Sequence, residues 1–256
     1  MLGILKARLF QGHRTIKFPD GPAPELPDKF AGRPQIECSK CPSDCGKQCV
    51  DICPTGAFAA SNDDAITPSI DMGKCLFCRA CSNACKNNAV SFGRTYQLSA
   101  VKREDLVVKN NDTSERVVRN KKVCDLFGRS LKLRQVSAGG CNACEADTNV
   151  LNTLAWDLGR FGIQFVASPR HADGLLVTGP VSQNMREALL KTYEAVASPK
   201  IVIAVGSCAI SGGPYRGQKE SCNGVDTILP VDLFIPGCPP HPLTILDGLL
   251  RLIGKL

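Results

Sequence analysis

The stretches ECSKCPSDCGKQCVDICP (37–54) and GKCLFCRACSNACKNN (73–88) hold nine of the chain's fifteen cysteines. The second stretch has the spacing Cys-x2-Cys-x2-Cys-x3-Cys, which runs from Cys75 to Cys85. This spacing wraps three thiolates around one 4Fe–4S cluster and sends the fourth thiolate to a neighbouring cluster. Two such stretches in tandem predict a ferredoxin-like domain with two clusters.

The crossed ligand rule assigns Cys85 to the cluster of the first stretch and Cys53 to the cluster of the second. The second ferredoxin cluster is therefore predicted to have the ligands Cys53, Cys75, Cys78 and Cys81. A zinc module is the alternative, since CxxC pairs also bind zinc. Zinc sites, however, usually pair two CxxC units across a longer spacer.

The first stretch has one cysteine more than a cluster needs. Its end is fixed by the Cys49-x3-Cys53 spacing. Counting back, Cys41 and Cys45 depart from the usual spacing by one extra residue in each gap, whereas choosing Cys38 and Cys41 leaves a seven-residue gap before Cys49. We therefore expect Cys38 to be the spare cysteine. The predicted ligands of the first ferredoxin cluster are Cys41, Cys45, Cys49 and Cys85.

The composition is that of a folded protein, with 256 residues and 43% hydrophobic content, enough for two small domains or one large one. The start MLGILKARLF has no apolar run long enough for a signal peptide, so the thiols are expected to be reduced, in the cytoplasm. No apolar stretch approaches the roughly eighteen residues of a transmembrane helix. Any membrane contact is therefore expected to be peripheral.

Residues 1–34 are predicted to form a short amphipathic helix and an extended arm. Leu2, Leu5 and Leu9 recur on one helical face, and basic residues are available for the other. Such a helix can lie on a membrane surface, dock on a partner or pack on its own domain. The five prolines between positions 18 and 34 exclude a helix in the arm.

Three further segments complete the predicted organisation. The two-cluster ferredoxin domain spans 35–98, and a charged connector containing NNDTSE spans 99–130. In 131–256, apolar runs alternate with amphipathic stretches, which predicts a flavodoxin-like, doubly wound parallel sheet after the α+β ferredoxin part. The expected strands are LKLRQV (131–136), IQFVA (163–167), GLLVTG (174–179), KIVIAVG (200–206) and VDLFIPG (231–237). Helices are expected within 146–160, near 182–197 and from Pro242.

Three cysteine motifs follow predicted strands: GGCNACE with Cys141 and Cys144, VGSCAISGG with Cys208, and IPGCPPHP with Cys238. Ligands of open parallel sheets bind at the carboxyl ends of the strands, so these four thiols are predicted to hold a third 4Fe–4S cluster. Cys208 and Cys238 as merely buried thiols are the alternative. Two further cysteines lack a matching motif and are expected to be structural, namely Cys124 and Cys222.

The excess of basic residues does not indicate nucleic-acid binding. The formal net charge is +7. An oxidised 4Fe–4S cluster with four thiolates carries about −2, so three clusters would bring the total to about +1. Residues 99–134 contain ten Lys and Arg against five Asp and Glu, with almost no aromatic residues between them. Single-stranded nucleic acids are usually bound by basic surfaces that also offer aromatic side chains.

The motifs GGCNACE, SPRHADGLLVTGPV, GSCAISGG and ILPVDLFIPGCPP resemble the small electron-transfer subunit of formate hydrogenlyase and other energy-converting NiFe hydrogenases. That subunit is itself similar to the complex I subunit that holds the terminal cluster. The stretches DMGKCLFCRACSNAC and TYQLSAVKREDL resemble the two-cluster ferredoxin subunit of the same complexes. The chain thus resembles a fusion of two subunits that are usually separate.

The resemblance implies a redox subunit of an oxidoreductase complex with no catalytic residues of its own. Its expected partners are a large NiFe hydrogenase-like subunit, membrane subunits of the same complex, and an electron donor or acceptor protein. The expected location is peripheral, on the cytoplasmic face of the inner membrane. Complex I has two adjacent cysteines where this chain has the spaced Cys141 and Cys144, so the spacing favours the hydrogenase side. A complex I-related machine without nickel and a free ferredoxin-type carrier are the alternatives.

Two titratable residues near the third predicted cluster have open roles. The resembled families often carry Glu three residues after the second cysteine, where this chain has Asp147. Asp147 can relay protons or cap the following helix, and capping is the commoner role. His171 belongs to a segment that lies near the cluster in the resembled family. It can titrate there or hydrogen-bond backbone, and the second is commoner.

The spacing argument predicts opposite effects for two serine substitutions. Cys38→Ser should leave the iron content and the reduced-state EPR signals unchanged, because Cys38 is the spare cysteine. Cys45→Ser should disturb the first ferredoxin cluster, because it removes a ligand. Loss of a cluster from Cys38→Ser together with a silent Cys45→Ser would reverse the assignment.

Overall fold

The computed structural model describes residues 2–41, 48–61, 67–110, 112 and 121–256. Within these ranges the helices are α1 (Leu2–Gln11), α2 (Gln48–Asp51), α3 (Ala80–Ala84), α4 (Lys121–Phe127), α5 (Ala143–Val150), α6 (Gln183–Ala195), α7 (Ser207–Ser211) and α8 (Pro242–Leu252). The strands are β1 (Pro34–Ile36), β2 (Phe58–Ser61), β3 (Thr67–Asp71), β4 (Val90–Phe92), β5 (Val107–Val108), β6 (Leu131–Ser137), β7 (Ile163–Phe165), β8 (Gly174–Thr178), β9 (Ile201–Val205) and β10 (Leu233–Ile235). Short 3-10 helices cover Cys38–Lys40, Glu104–Leu106, Leu158–Phe161, Pro169–His171 and Gly213–Tyr215.

The C-terminal half contains one five-stranded sheet, in the order β10-β9-β8-β6-β7, and every neighbouring pair is parallel. Counted along the chain, this is the 2-1-3-4-5 order of flavodoxin-like folds. The predicted parallel sheet is confirmed, and each of its five strands lies within an apolar run that the sequence singles out, except that β6 extends one residue further. Helix α6 also forms where expected, and α8 begins at Pro242.

Successive residues of the central strands pack on opposite faces of the sheet. In β9, Ile201, Ile203 and Val205 contribute to one core, whereas Val202 and Ala204 contribute to the other. The first core also includes side chains of α4 and α8, and the second includes side chains of α6 and α7. Because both faces are buried, β8 and β9 are continuous apolar runs rather than alternating ones.

The helix expected within 146–160 is shorter and begins earlier, as α5 (Ala143–Val150). Beyond it the chain turns. The Thr153 hydroxyl donates to the Val150 carbonyl oxygen at 2.7 Å, and the Asn152 N–H donates to the Asn149 carbonyl oxygen at 3.0 Å. The Thr153 bond is a side-chain bond of the kind that competes with the helical pattern, and the Asn152 bond is the backbone bond of a tight turn.

The N-terminal half forms two small antiparallel sheets, β1-β4 and β2-β3-β5. Their inner faces meet in a core that includes Ile36, Phe58, Ile70 and Val90, against which several cysteines pack. Helix α1 lies apart from this core, since all of its residues are exposed. Of the described residues, no helix is both long and apolar enough to cross a membrane.

The start of the predicted connector 99–130 packs on the parallel sheet. Ala100 and Phe234 of β10 exchange two backbone hydrogen bonds, with N–O distances of 3.0 and 2.8 Å. Leu106 and Val108 are buried in the core that contains the β8 residue Val177. These contacts join the two halves of the molecule and shield one edge of the sheet.

A charged pair also supports this junction. Both guanidinium NH2 groups of Arg103 donate to the Asp71 carboxylate, at 2.8 and 2.7 Å. The Gly73 N–H donates to the same carboxylate at 2.9 Å. Asp71 ends β3, immediately before the loop that carries Cys75, so the pair fixes this loop against residues 100–108.

Arg103→Ala should destabilise the fold by about 1–3 kcal/mol, because it leaves a mostly buried carboxylate without its strongest donor. Only 15% of the Asp71 side chain and 23% of the Arg103 side chain are exposed. The midpoint of urea unfolding, followed by circular dichroism, measures this loss. The matched control is Lys102→Ala, because Lys102 is an exposed neighbour of the same charge. Equal midpoints for the two variants would contradict a stabilising role for the pair.

Candidate iron–sulfur sites

The C-terminal site lies at the carboxyl ends of β6, β9 and β10. Cys141 and Cys144 follow β6, Cys208 lies one residue into α7 after β9, and Cys238 follows β10. Beyond β6 the chain first adds β7 on one side and later β8 on the other, which makes this edge the switch point of the sheet. The fold therefore brings together four cysteines that are up to 97 positions apart in sequence.

The four thiols lie within electrostatic reach of one another. Burial, followed by the charges of Cys238, Cys141 and Glu145, raises the pKa of Cys208 to about 12. Burial likewise raises the pKa of Cys144, followed by the charges of Cys208, Glu145, Cys238 and Cys141. Thiols in such a setting remain protonated at neutral pH unless a cation compensates the thiolate charge.

The backbone leaves room for sulfur at two points of this site. A Cβ on Gly206 would lie 2.5 Å from the Cys144 sulfur, and a Cβ on Gly213 would lie 2.8 Å from the Cys208 sulfur. Both glycines have positive φ, at +89° and +52°. Together with a donor set made only of thiols, this cradle fits an iron–sulfur cluster. In the part of the chain that the structure describes, no three His, Cys, Asp or Glu side chains converge as a single metal ion would require.

Glu145 is a site residue that the sequence analysis missed. It follows Cys144 directly and is 5% exposed. Its carboxylate accepts hydrogen bonds from the hydroxyls of Ser137, at 2.5 Å, and Thr178, at 2.6 Å. These hydroxyls end β6 and β8, so a buried carboxylate lies at the switch point itself. The only sequence signal was its position in GGCNACE, because its partners are distant in sequence.

Asp147 lies inside α5 and therefore does not cap it, and the next short helix is preceded by Asp157 instead. Burial raises the Asp147 pKa. Asp147 lines a cavity together with Cys238 and His241. His241, which no sequence pattern singled out, accepts the Leu243 N–H at Nδ1 and so caps α8. Burial lowers the His241 pKa.

The N-terminal half, called the ferredoxin half below after its predicted fold, contains an internal repeat. The N–H groups of Ala57 and Ala89 donate to the sulfurs of Cys53 and Cys85, each four residues earlier and each at 3.2 Å. The residues three positions after each cysteine, Gly56 and Asn88, have matching φ values of 59° and 51°. A small strand follows each turn, β2 in one repeat and β4 in the other. In both repeats, a backbone N–H therefore donates to a cysteine sulfur with the same local geometry.

The repeat also aligns the starts of the two cysteine stretches. The Glu37 N–H donates to the Ala89 carbonyl oxygen at 2.9 Å, and the Asp71 N–H donates to the Ala57 carbonyl oxygen at 2.8 Å. Glu37 and Asp71 are therefore equivalent. Four residues after each comes a cysteine, Cys41 in one repeat and Cys75 in the other.

The residues that follow Glu37 and Asp71 are Cys38 and Met72, so these two are equivalent as well. Met72 is fully buried and, unlike a thiol, is not a cluster ligand. The Cys38 N–H donates to the Asn110 side-chain oxygen at 3.0 Å, and burial raises the Cys38 pKa. This register favours Cys41 over Cys38 as the first ligand.

The structure brings together the four cysteines expected to share the second ferredoxin cluster. Burial raises the pKa of Cys75 to about 12, and the thiols of Cys81, Cys53 and Cys78 contribute to the increase. Burial raises the pKa of Cys81 to about 11, again with contributions from Cys53 and Cys78. Burial alone would raise the pKa of Cys53, but hydrogen bonds from Thr55, Ala57 and Phe58 lower it, and the net change is a lowered pKa.

For the first ferredoxin cluster, Cys49 and Cys85 pack against the same core, and Cys41 follows the Cys38–Lys40 turn. Cys45 lies outside the described residues. The two cysteines expected to be structural have other partners. The Cys124 thiol donates to the Leu252 carbonyl oxygen at 3.4 Å, and Cys222 packs against the sheet core. His171 is exposed, at the end of the 3-10 helix Pro169–His171.

The second ferredoxin set and the C-terminal set are neighbours. Burial raises the pKa of Cys238, and the thiols of Cys141 and Cys78 raise it further. Cys78 belongs to the ferredoxin half, so charges on the two sets interact directly. Cys78, Cys141 and Cys238 are also exposed at this face of the molecule.

Comparison with known proteins agrees with this geometry. Residues 141–252 match the family described as NADH ubiquinone oxidoreductase, 20 kDa subunit, and residues 68–91 match the 4Fe–4S binding domain. The probable membrane-bound hydrogenase subunit mbhJ of Pyrococcus furiosus is 40% identical over 148 residues, which cover 57% of this chain and 89% of that protein.

Two further relatives come from both sides of the predicted resemblance. Formate hydrogenlyase subunit 7 of Escherichia coli is 43% identical over 128 residues, which cover 50% of each protein. An NADH-quinone oxidoreductase subunit of Phocaeicola vulgatus is 43% identical over 132 residues, which cover 51% of this chain and 66% of that protein. The resemblance to hydrogenase and complex I subunits is thus confirmed. The chain belongs to the family of the NADH ubiquinone oxidoreductase 20 kDa subunit and carries a 4Fe–4S binding domain ahead of it.

Proposed function

We propose that this chain is the electron-transfer subunit of a membrane-associated NiFe hydrogenase-type complex, and that it relays electrons through three 4Fe–4S clusters to or from a large catalytic subunit. The observation that carries the proposal is the short link between the two thiol sets, where the Ser207 hydroxyl, beside Cys208, donates to the Cys75 carbonyl oxygen at 2.5 Å. Cys78 of the ferredoxin half acts electrostatically on Cys238 at the sheet edge. Redox centres held this close can exchange single electrons in series.

The proposed ligand sets follow the two repeats and the sheet edge. Cys41, Cys45, Cys49 and Cys85 would hold the first cluster; Cys53, Cys75, Cys78 and Cys81 the second; and Cys141, Cys144, Cys208 and Cys238 the third. When bound, each cluster supplies a site that takes up and releases one electron. The chain's own groups hold and orient it. The Ala57 and Ala89 N–H groups donate to ligand sulfurs, and the glycine backbone at 206 and 213 allows close approach.

The C-terminal site supports a partner that covers it. Cys141 and Cys238 are exposed, although their neighbours Cys144 and Cys208 are half-buried. A cluster held there would need protection from water and a redox centre to exchange electrons with. The relatives named as hydrogenase and formate hydrogenlyase subunits support a large NiFe hydrogenase-like subunit as that partner.

Helix α1 supports attachment to the membrane part of the same complex, at the cytoplasmic face of the inner membrane. Leu2, Leu9 and Phe10 are between 77% and 91% exposed. Residues 1–19 include Lys6, Arg8 and other basic side chains but no acidic one. An exposed apolar helix with a positive charge fits an anionic membrane surface or the membrane subunits attached to it.

The second candidate is a role in a complex I-related oxidoreductase without nickel. The NADH-quinone oxidoreductase relative favours it, at an identity similar to that of the hydrogenase relatives. The spaced Cys141 and Cys144 favour the hydrogenase assignment, as the sequence comparison with complex I implies. A free ferredoxin-type carrier is disfavoured by the exposed Cys141 and Cys238 and by the unpartnered α1.

The cluster count is tested by metal analysis. The chain reconstituted without oxygen should contain about twelve iron and about twelve acid-labile sulfide, because three cubes each contain about four of both. Cys208→Ser should lower the iron content by about four, whereas the matched control Cys222→Ser should not lower it. An iron content of about eight per unsubstituted chain would contradict the presence of a C-terminal cluster. Zinc at stoichiometric levels would contradict all three.

The partnership is tested by gentle anaerobic purification from the source cells. The chain should be isolated with a large subunit, through an interface of at least ~2,000 Å2 rich in apolar contacts. Nickel in that complex would favour the hydrogenase, and its absence the complex I-related alternative. As a control, deleting residues 2–11 should release the membrane subunits and keep the large subunit. A fully loaded monomer with no affinity for a large subunit would favour the free carrier.

A further inference from the structure

Ser207 lies where the two halves of the molecule meet. It is 1% exposed, and its hydroxyl oxygen lies 2.5 Å from the Cys75 carbonyl oxygen and 3.1 Å from the Gly237 carbonyl oxygen. Its backbone N–H donates to the same Gly237 carbonyl oxygen at 2.9 Å. The hydroxyl has one hydrogen to donate, and the shorter distance favours Cys75 as its acceptor.

The three segments joined by Ser207 each carry a proposed ligand. Cys75 belongs to the second ferredoxin set, whereas Cys208 follows Ser207 and Cys238 follows Gly237 in the C-terminal set. One hydrogen bond and a few covalent bonds therefore connect Cys75 with Cys208. The two residues are 133 positions apart in sequence, so only the fold creates this connection.

Ser211 provides an internal comparison, because it makes a similar bond without joining two ligands. It lies one turn further along α7, and its hydroxyl oxygen lies 2.9 Å from the Gly73 carbonyl oxygen and 3.1 Å from the Ser207 carbonyl oxygen. The shorter distance favours Gly73 as its acceptor. It is also buried, at 7% exposure. Neither Ser211 nor Gly73 is a proposed ligand or the neighbour of one in sequence. The two serines thus fix the same loop but differ in what they connect.

We propose that Ser207 is a positioning residue that provides the electronic contact between the second ferredoxin set and the C-terminal set. The inference rests on the proposed function. One electron would pass from the cluster that one set holds to the cluster that the other set holds. No bond forms or breaks, and the hydroxyl hydrogen stays on Ser207. Electronic coupling falls off less steeply through covalent bonds and a short hydrogen bond than across a van der Waals gap. The competing route is the direct approach of Cys78 to Cys238, which involves no hydrogen bond from Ser207.

The test compares Ser207→Ala with Ser211→Ala in the loaded chain. Each variant removes one buried hydrogen bond, so both should lower the urea midpoint to a similar extent. Iron and sulfide contents, and the dipolar coupling between the two reduced clusters in pulsed EPR, should be unchanged in both. The rate of electron exchange between the two sets after flash reduction should fall severalfold in Ser207→Ala only.

The outcomes separate a connecting role from a structural one. An unchanged rate in Ser207→Ala, or an equal decrease in both variants, would overturn the proposal and favour the Cys78 to Cys238 route. Should Ser207→Ala fail to fold, the unsubstituted chain prepared in D2O still tests it. Electron–nuclear double resonance should then detect an exchangeable hydrogen coupled to both reduced clusters, and its absence would contradict the proposal. If the unsubstituted chain lacked the C-terminal cluster, that result would contradict the proposed function itself rather than the role of Ser207.

Discussion

The junction between α7 and the loop at residues 73–75 is the contact on which the rest of the arrangement depends. Each half carries its own thiols, and the proposed relay needs the two thiol sets at a fixed separation. Hydroxyls of Ser207 and Ser211 hold the loop from one side, and the Arg103–Asp71 pair holds it from the other. Because these groups are largely buried, losing one leaves a polar partner without water to replace it. The geometry is therefore held by a few directional bonds rather than by apolar area alone.

The thiols impose a constraint of their own. Cys75 is buried and Cys144 and Cys208 are half-buried, each beside other thiols, and burial and like charge raise the pKa of each. As thiolates they would repel one another in a medium that solvates charge poorly. Iron removes this cost, since it displaces the protons and neutralises part of the charge. The cysteine packing is thus consistent with a chain that completes its folding when the metal binds.

The sequence predicted the features that depend on local pattern. The apolar runs indicated all five strands of the parallel sheet, whereas the three cysteine ligand sets remain predictions from spacing and from the ends of the strands. Bonds between distant residues were not predictable. Glu145 takes its partners from the ends of β6 and β8, and the Ser207 hydroxyl reaches a carbonyl 132 positions away. The polar composition of 99–130 also concealed the burial of Leu106 and Val108. Both lie in the core beside the parallel sheet, at the point where β5 pairs with β3.

The arginines of the chain have a role that composition alone did not reveal. The proline-rich arm forms no sheet or helix, so its carbonyl groups need other donors. The guanidinium of Arg160 donates to the carbonyl oxygens of Ile16 and Phe18, at 2.7 and 2.6 Å. Arg79 donates to the Phe30 carbonyl oxygen at 2.6 Å, and Arg94 donates to the Leu26 carbonyl oxygen. Part of the positive charge therefore fixes an extended segment against both halves of the molecule.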